Sequence, residues 1–367
     1  MPYGTLNADT ITNSNGLSGN AIGPGFKNRI INGDMRIDQR NAGAAVTVNS
    51  VNDTYSVDRF LGAGQSTDGV FTLQRSTTAP TGFTNSLVAT VTTADASVGA
   101  AQYYFIAQKI EGFNVSDLGF GTANAKTVTL SFWVRSSVTG TFSGALANGA
   151  YNRSYPFTYT ISSANTFEYK TVTIAGDTTG TWLTDNGIGL RIYWNLGTGV
   201  DNTGTAGAWT GAGNIGADST VALISTLNAT WYVTGVQLEV GPSATSFDYR
   251  PFGTELSLCQ RYYEKSYNQS VVPGTASNDS GSQHEYNGAT VTTGGGPIRF
   301  TITKRDAPTI TSYSTNTGAS GKVFIRSQGV DVTPSIDLIG QTGARMSYTQ
   351  SSGIVNTTYH WVASSEL

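Results

Sequence analysis

The sequence predicts an all-β chain. It reads as an N-terminal extended arm, a large jelly-roll β-sandwich, one short helix and a small C-terminal antiparallel β-domain. Three observations carry this. Only 12% of the 367 residues are charged, about half the usual share, and glycine (44 residues), Thr, Ser and Asn fill the gap. Many short segments alternate apolar and polar side chains, with Gly, Asn and Asp turns between them. One stretch alone, after Gly253, changes to a helical period. Low charge does not mean disorder here: the net charge is −3 and aromatic residues make up 11%, whereas disordered chains are charged and poor in aromatics.

Residues 1–25 carry Tyr3, Leu6, Ile11, Leu17 and Ile22 scattered among Asn, Thr, Ser and Gly. Such a segment cannot bury a core by itself. It reads either as a loose end or as an arm that orders by adding to a partner's sheet edge. Residues 26–43 follow, with an Asn32-Gly33 turn between Ile30 and Met35 that signals a hairpin. Arg29, Arg36, Asp38 and Arg40 are dense for so uncharged a chain and predict a structural ion-pair network, joined by Tyr55, Asp58, Arg59 and Phe60.

The sandwich spans 26–250. In TVTLSFWVR, Val128, Leu130, Phe132 and Val134 share one face, and Thr129, Ser131, Trp133 and Arg135 the other. Ile188, Leu190, Ile192 and Trp194 likewise share a face. Trp231, Val233 and Gly235 are expected on one side of a central strand, with Tyr232, Thr234, Val236 and Leu238 on the other, until Gly241-Pro242 ends it. Residues 198–220 read as a long Gly/Ala/Thr loop carrying Trp209.

Residues 251–267 form the connecting helix, of about three turns, with Thr254 as N-cap, Glu255 in the first turn and Lys265 in the last. Leu256, Cys259, Tyr262 and Tyr263 make its apolar face, which docks on a β-domain or on copies of itself; a three-fold seam puts these four residues at a trimer contact. The C-terminal domain, 268–367, begins with a polar, Gly-rich stretch. Strands are expected around Ile298–Ile302, Thr309–Tyr313, Val323–Ile325, Met346–Tyr348 and Tyr359–Trp361.

Composition excludes several functions. A net charge of −3 gives no footprint for nucleic acid. No apolar run approaches the 18 or so residues of a membrane helix, so no membrane insertion is expected. The N-terminus has neither the basic nor the apolar region of a signal peptide, which places synthesis in a cytoplasm. One cysteine, Cys259, permits no internal disulfide. Two histidines, His284 and His360, and that cysteine have no ligand spacing, so no metal is expected. No nucleophile elbow, phosphate loop or dinucleotide turn is present, and no cofactor or catalytic residue is assigned. Carbohydrate binding fits better, since sugars are held by aromatic faces and short polar side chains, and the chain has 18 tyrosines and 6 tryptophans. Trp133, Trp194 and Trp231 lie in regular strands and are expected in the core. Trp209, Tyr151, Tyr155 and Trp361 are the candidates for carbohydrate contact.

Three stretches resemble bacteriophage tail-fibre and related virion-surface proteins. KNRIINGDMRIDQRNAG with YSVDRF downstream is similar to the family's NG…QR…DRW opening, with Met35 in place of the common aromatic and Phe60 closing the second part. VQLEVGPSATSFDYRPFGTELSLCQRYYEKS is very close to the family's QLE…AT…EL-x-LCQRYY pattern. KRDAPTIT and the ending WVASSEL are similar to its APT strand and W-x-A-x-x-EL terminus. TVTLSFWVRSS and WYVTGVQLEVG are also similar to paired strands of carbohydrate-binding jelly-roll modules. The resemblance implies a non-enzymatic virion structural protein: a tail fibre, usually homotrimeric, displayed on the virion surface to meet host-surface glycan. The arm would then join other virion proteins, tail or capsid, through Tyr3, Leu6 and Ile11. A capsid-decoration or head-fibre protein is the alternative. A polysaccharide depolymerase is disfavoured because no solenoid repeat is visible.

Overall fold

A computed structural model describes residues 26–65, 67–278, 281–287, 293–350 and 355–367. The arm, with Tyr3, Leu6 and Ile11, lies outside the described residues. Among the described residues the chain is all-β with one α-helix. In order, the sandwich strands are Val46–Val48 (β1), Thr54–Tyr55 (β2), Phe60–Gly64 (β3), Val70–Ser76 (β4), Ser86–Thr93 (β5), Tyr103–Glu111 (β6), Val128–Ser136 (β7), Gly140–Ala147 (β8), Ser154–Ile161 (β9), Glu168–Ile174 (β10) and Ile188–Thr198 (β11). A short parallel pair follows, Thr203–Gly204 (β12) and Gly216–Ala217 (β13), then the long Thr230–Val240 (β14). Among the described residues these build two facing six-stranded sheets. The first runs β1-β4-β5-β14-β7-β10 and the second β2-β3-β6-β11-β8-β9.

The alternation that predicts β7 and β11 also fills the space between the sheets. Val128, Leu130, Phe132, Val134, Ile192 and Trp194 are all buried in one cluster. The Trp194 and Trp231 rings meet at 6.3 Å, Phe132 stands edge-on to Trp194 at 5.9 Å, and the Trp231 indole donates to the Tyr159 hydroxyl at 3.2 Å. That bond satisfies the buried Trp231 indole N–H.

β14 departs from simple alternation. Its register against β7 shifts between Thr234 and Gln237, with Gly235 at φ 60°. The bulge reverses the phase, so Val236 and Leu238 join Trp231 and Val233 inside, while Gln237 and Glu239 face out. The sequence-based expectation put Val236 and Leu238 on the face of Tyr232; one extra residue moves them.

Residues 26–43 are not the expected hairpin. They run as an irregular strap along β14: Arg29 N–H donates to Leu238 O, Val236 N–H to Gly33 O, and the Asn28 amide donates to Val236 O. The strap lies so close that a Cβ on Gly33 would stand 2.2 Å from the Val236 carbonyl oxygen, so only glycine fits.

The helix, Phe252–Gln260 (α1), is shorter than expected. Pro251 occupies its N-cap and makes no side-chain cap bond, so Thr254 lies within the helix. Tyr263 and Lys265 belong instead to a strand, Tyr263–Lys265 (β15), that pairs with the last strand of the chain. Cys259 and Tyr262 are fully buried and Tyr263 nearly so, packed within this chain beside Ile31 and Ile37 or under the Arg40 guanidinium. Their faces are therefore occupied internally rather than free for a three-fold seam; Leu256 alone of the four is half-exposed.

The C-terminal part adds Gln283–Asn287 (β16), Thr293–Arg299 (β17), Thr309–Ser314 (β18), Val323–Ile325 (β19), Val330–Val332 (β20), Ser335–Gly340 (β21), Gly343–Thr349 (β22) and Val355–Ser364 (β23). β23 pairs with β15, β16, β18 and β19, and β17-β22-β21 forms a separate small sheet. All of these pairings are antiparallel.

A buried polar hub joins these parts. Arg250 donates to the carbonyls of Asn28 and Ile30 and pairs with Glu255 at 3.2 Å; both side chains are almost fully buried. Burial raises the Glu255 carboxyl above its usual range, against the pull of Arg250. Glu111 accepts from Arg261 at 2.6 Å and from the Tyr262 hydroxyl at 2.6 Å. Glu366, two residues from Ser364, is held by Arg59 and Arg40. Arg250→Ala would leave a buried carboxylate and two carbonyls without their donor. We expect a loss of about 3–5 kcal/mol, read as a lowered denaturant midpoint. Arg29→Ala, which breaks the more exposed Arg29–Asp117 pair, should cost under about 1 kcal/mol. Equal effects from the two would contradict the hub.

Candidate functional site

The aromatic residues singled out from sequence fall in three places. Trp209 and Tyr155 do come together, with ring centroids 5.4 Å apart, but Phe120 and Trp182 close around them. The contacts are edge-on, and the Trp209 indole donates to Ala175 O at 2.7 Å. The group packs against the sandwich core, and all four rings are half-buried. Tyr151 lies apart from it, in the β8–β9 turn at φ 57°, stacked under the Arg191 guanidinium at 4.0 Å and bonded to the Tyr193 hydroxyl. Trp361 is a core residue, 4% exposed and packed on Phe300, so it offers no face to a ligand.

An open aromatic groove lies elsewhere, on the outer face of the first sheet. Strand alternation turns Phe132 and Val134 inward, which turns Trp133 outward. Trp133 is therefore half-exposed, not in the core as expected. Directly across from it on β10 is Tyr169, 43% exposed, with the two rings 5.4 Å apart. On the other side the β14 bulge makes room. A Cβ on Gly235 would stand 2.6 Å from the Phe83 ring and 3.1 Å from the Trp133 ring, so glycine is what lets the two rings converge.

The far wall is Phe83, Phe247 and Tyr249, packed at 4.8–5.6 Å. The loop bearing Phe247 and Tyr249 is tied to the outward side chains of β14. Glu239 accepts from Thr245 N–H and hydroxyl, and Gln237 accepts from Asp248 N–H at 2.8 Å. The Tyr249 hydroxyl donates to Gly82 O at 2.7 Å, and burial raises its pKa, so it stays neutral.

The groove encloses about 550 Å³ between these rings, with Ser131, Gly235, Thr245 and Ser246 along it. No charged side chain lines it. The Trp133 indole N–H and the Tyr169 hydroxyl make no hydrogen bond to the described residues and remain available. Such a surface can stack on the C–H face of a ring and donate hydrogen bonds at its edge. A depression of similar volume, about 560 Å³, lies over β17 and β22, but its lining of Thr293–Pro297 and Arg345–Ser347 has no aromatic ring. Among the described residues there is no group of three or more His, Cys, Asp or Glu that could hold a metal.

No protein-family model matches the chain, and no curated protein matches its sequence. Solved structures with partial likeness include the enzymatically active domain of tailspike protein 4 of bacteriophage CBA120, at TM-score 0.31 and 14% identity over 58% of this chain. The chain spans 21% of that protein's length. The family 11 carbohydrate-binding module from Clostridium thermocellum, solved with a mixed-linked tetrasaccharide, gives TM-score 0.27 and 12% identity over 56% of this chain and all of the module. The N-terminal cellulose-binding domain of Cellulomonas fimi β-1,4-glucanase C gives 0.22 and 13% over 55% of this chain and 91% of the domain.

The groove depends on the Gly235 bulge. Gly235→Ala would place a side chain at φ 60° and against two rings. A stability loss of about 1–3 kcal/mol and a changed near-ultraviolet dichroism from displaced Trp133 and Phe83 are expected. An unchanged spectrum and midpoint would show that the bulge does not set the groove.

Proposed function

We propose that this chain is a non-enzymatic structural protein of a bacteriophage particle, a tail fibre that holds host-surface saccharide in the Trp133–Tyr169 groove. The observation that carries the binding part is the groove itself: exposed rings on a rigid sheet, unoccupied hydrogen-bond donors at their edge, and a lining without a carboxylate. Glycoside hydrolysis needs two such acids flanking the bond. The particle part is supported by the resemblance of residues 27–43, 55–60, 236–266, 304–311 and 361–367 to virion-surface proteins. In this reading residues 1–25 attach the protein to the particle.

The binding site is tested by affinity electrophoresis against a panel of bacterial surface polysaccharides. Trp133→Ala and Tyr169→Ala should each weaken binding tenfold or more, about 1.4 kcal/mol or more, with unchanged unfolding midpoints. Trp209→Ala should lower stability instead. Full affinity in Trp133→Ala would remove the groove from the account. The particle role is tested by deleting residues 2–25: folded protein that no longer enters particles is expected, and particles that carry the truncated chain would refute attachment by the arm.

A further inference from the structure

The groove has a neighbour on the same sheet face. Arg135 follows Trp133 by two residues on β7, so it points to the same side about 7 Å further along. Its guanidinium lies 4.9 Å from the ring of Tyr232, its partner on β14, and 5.9 Å from the ring of Phe167. The two rings fix the plane of the fork and strip water from part of it. The Nε atom is buried and has no hydrogen-bond partner. Among the described residues no carboxylate stands at ion-pair distance from Arg135, and its guanidinium makes no hydrogen bond.

The chain's other partly buried arginines have polar acceptors: Arg75, Arg191 and Arg305, which like Arg135 form no ion pair, hold carbonyl or hydroxyl oxygens. Arg36, Arg59, Arg153, Arg250 and Arg261 are each seated on a carboxylate. The acid on the adjoining strand, Glu168, is already engaged by Lys170 and by the N–H groups of Ser162 and Ser163. A guanidinium that is oriented and partly desolvated, yet has no counter-ion, is suited to a planar oxyanion that arrives from outside.

We propose that the saccharide site extends from Trp133 to Arg135 and that its ligand is an acidic saccharide. One sugar ring stacks on Trp133, and a carboxylate or phosphate on the adjacent unit takes the Arg135 fork. The proposal rests on the groove being a saccharide site, and it adds the charge class of the ligand.

The test measures binding of oligogalacturonate, its methyl-esterified form, a phosphomannan and a neutral mannan, at low and moderate salt. The proteins are wild type, Arg135→Gln and Trp133→Ala, each checked for folding by circular dichroism. The wild type should bind at least one acidic chain tenfold or more tighter than its neutral counterpart, and salt should reduce that preference. Preference for oligogalacturonate identifies a carboxylate, and preference for phosphomannan a phosphate. Arg135→Gln should erase the preference and keep the neutral binding, whereas Trp133→Ala should weaken every chain. Equal binding of acidic and neutral chains by the wild type, or a preference that survives Arg135→Gln, overturns the proposal. The groove reading stands in that case if Trp133→Ala still weakens binding. Binding of none of the four chains, or binding indifferent to Trp133→Ala, overturns both.

Discussion

The rest of the structure depends on burial of arginine forks between segments that are far apart in sequence. Arg250 ties the strap to the start of α1, Arg261 ties the end of α1 to β6 through Glu111, and Arg59 ties the start of β3 to Glu366. Arg59 and Arg250 are almost fully buried and Arg261 partly so, and the acceptors they hold are carbonyls and carboxylates of other elements. The sandwich, helix and C-terminal sheet are thereby locked in one arrangement. The same lock reaches the groove. Residues 244–249, which form its far wall, run directly into Arg250, and Gln237 and Glu239 hold them from the sheet.

The three stretches that resemble virion-surface proteins meet at this hub. Asn28, Asn32, Asp58 and Arg59 come from the first, Arg250, Glu255 and Arg261 from the second, and Glu366 from the last. What reads as three separate motifs in sequence is one packed polar cluster in space. Their residue types follow from burial: a charged group removed from water must keep its partners, so the partners sit at fixed places in distant segments.

Much of the fold was legible because period-2 alternation is local. β7, β11 and the strands at 309–314, 323–325 and 343–349 could be read from their own residues. The failures came where non-local geometry intervened. The bulge at Gly235 reversed the faces of β14. The pairing of Tyr263–Lys265 with β23 ended the helix early, because β23 lies about 90 residues ahead in sequence and leaves no trace in the local period. The strap's contacts with β14 likewise replaced the hairpin that Asn32-Gly33 suggests.

The site was less legible. Flanking glycines made Trp209 look free-standing, but its ring is half-buried and meets Phe120, Trp182 and Tyr155, which lie elsewhere in sequence. Trp133 carried a usable signal: it alternates with Thr129, Ser131 and Arg135, the polar face of its strand. A tryptophan on a polar face is the exception to large aromatics being core, and here the face mattered more than the residue type. The other wall, Phe83 with Phe247 and Tyr249, is assembled by loop closure and had no local signature.

The most direct test of saccharide binding in the groove is a proton–nitrogen spectrum of the indole N–H groups. It would be recorded as the best-binding saccharide is titrated in. The chain has six tryptophans, so assignment by single substitution is tractable. The account predicts that the Trp133 signal moves with saturation while Trp194 and Trp231, buried between the sheets, stay fixed. Movement of Trp209 or Trp182 with Trp133 unmoved would contradict it and place binding at the aromatic group around Trp209.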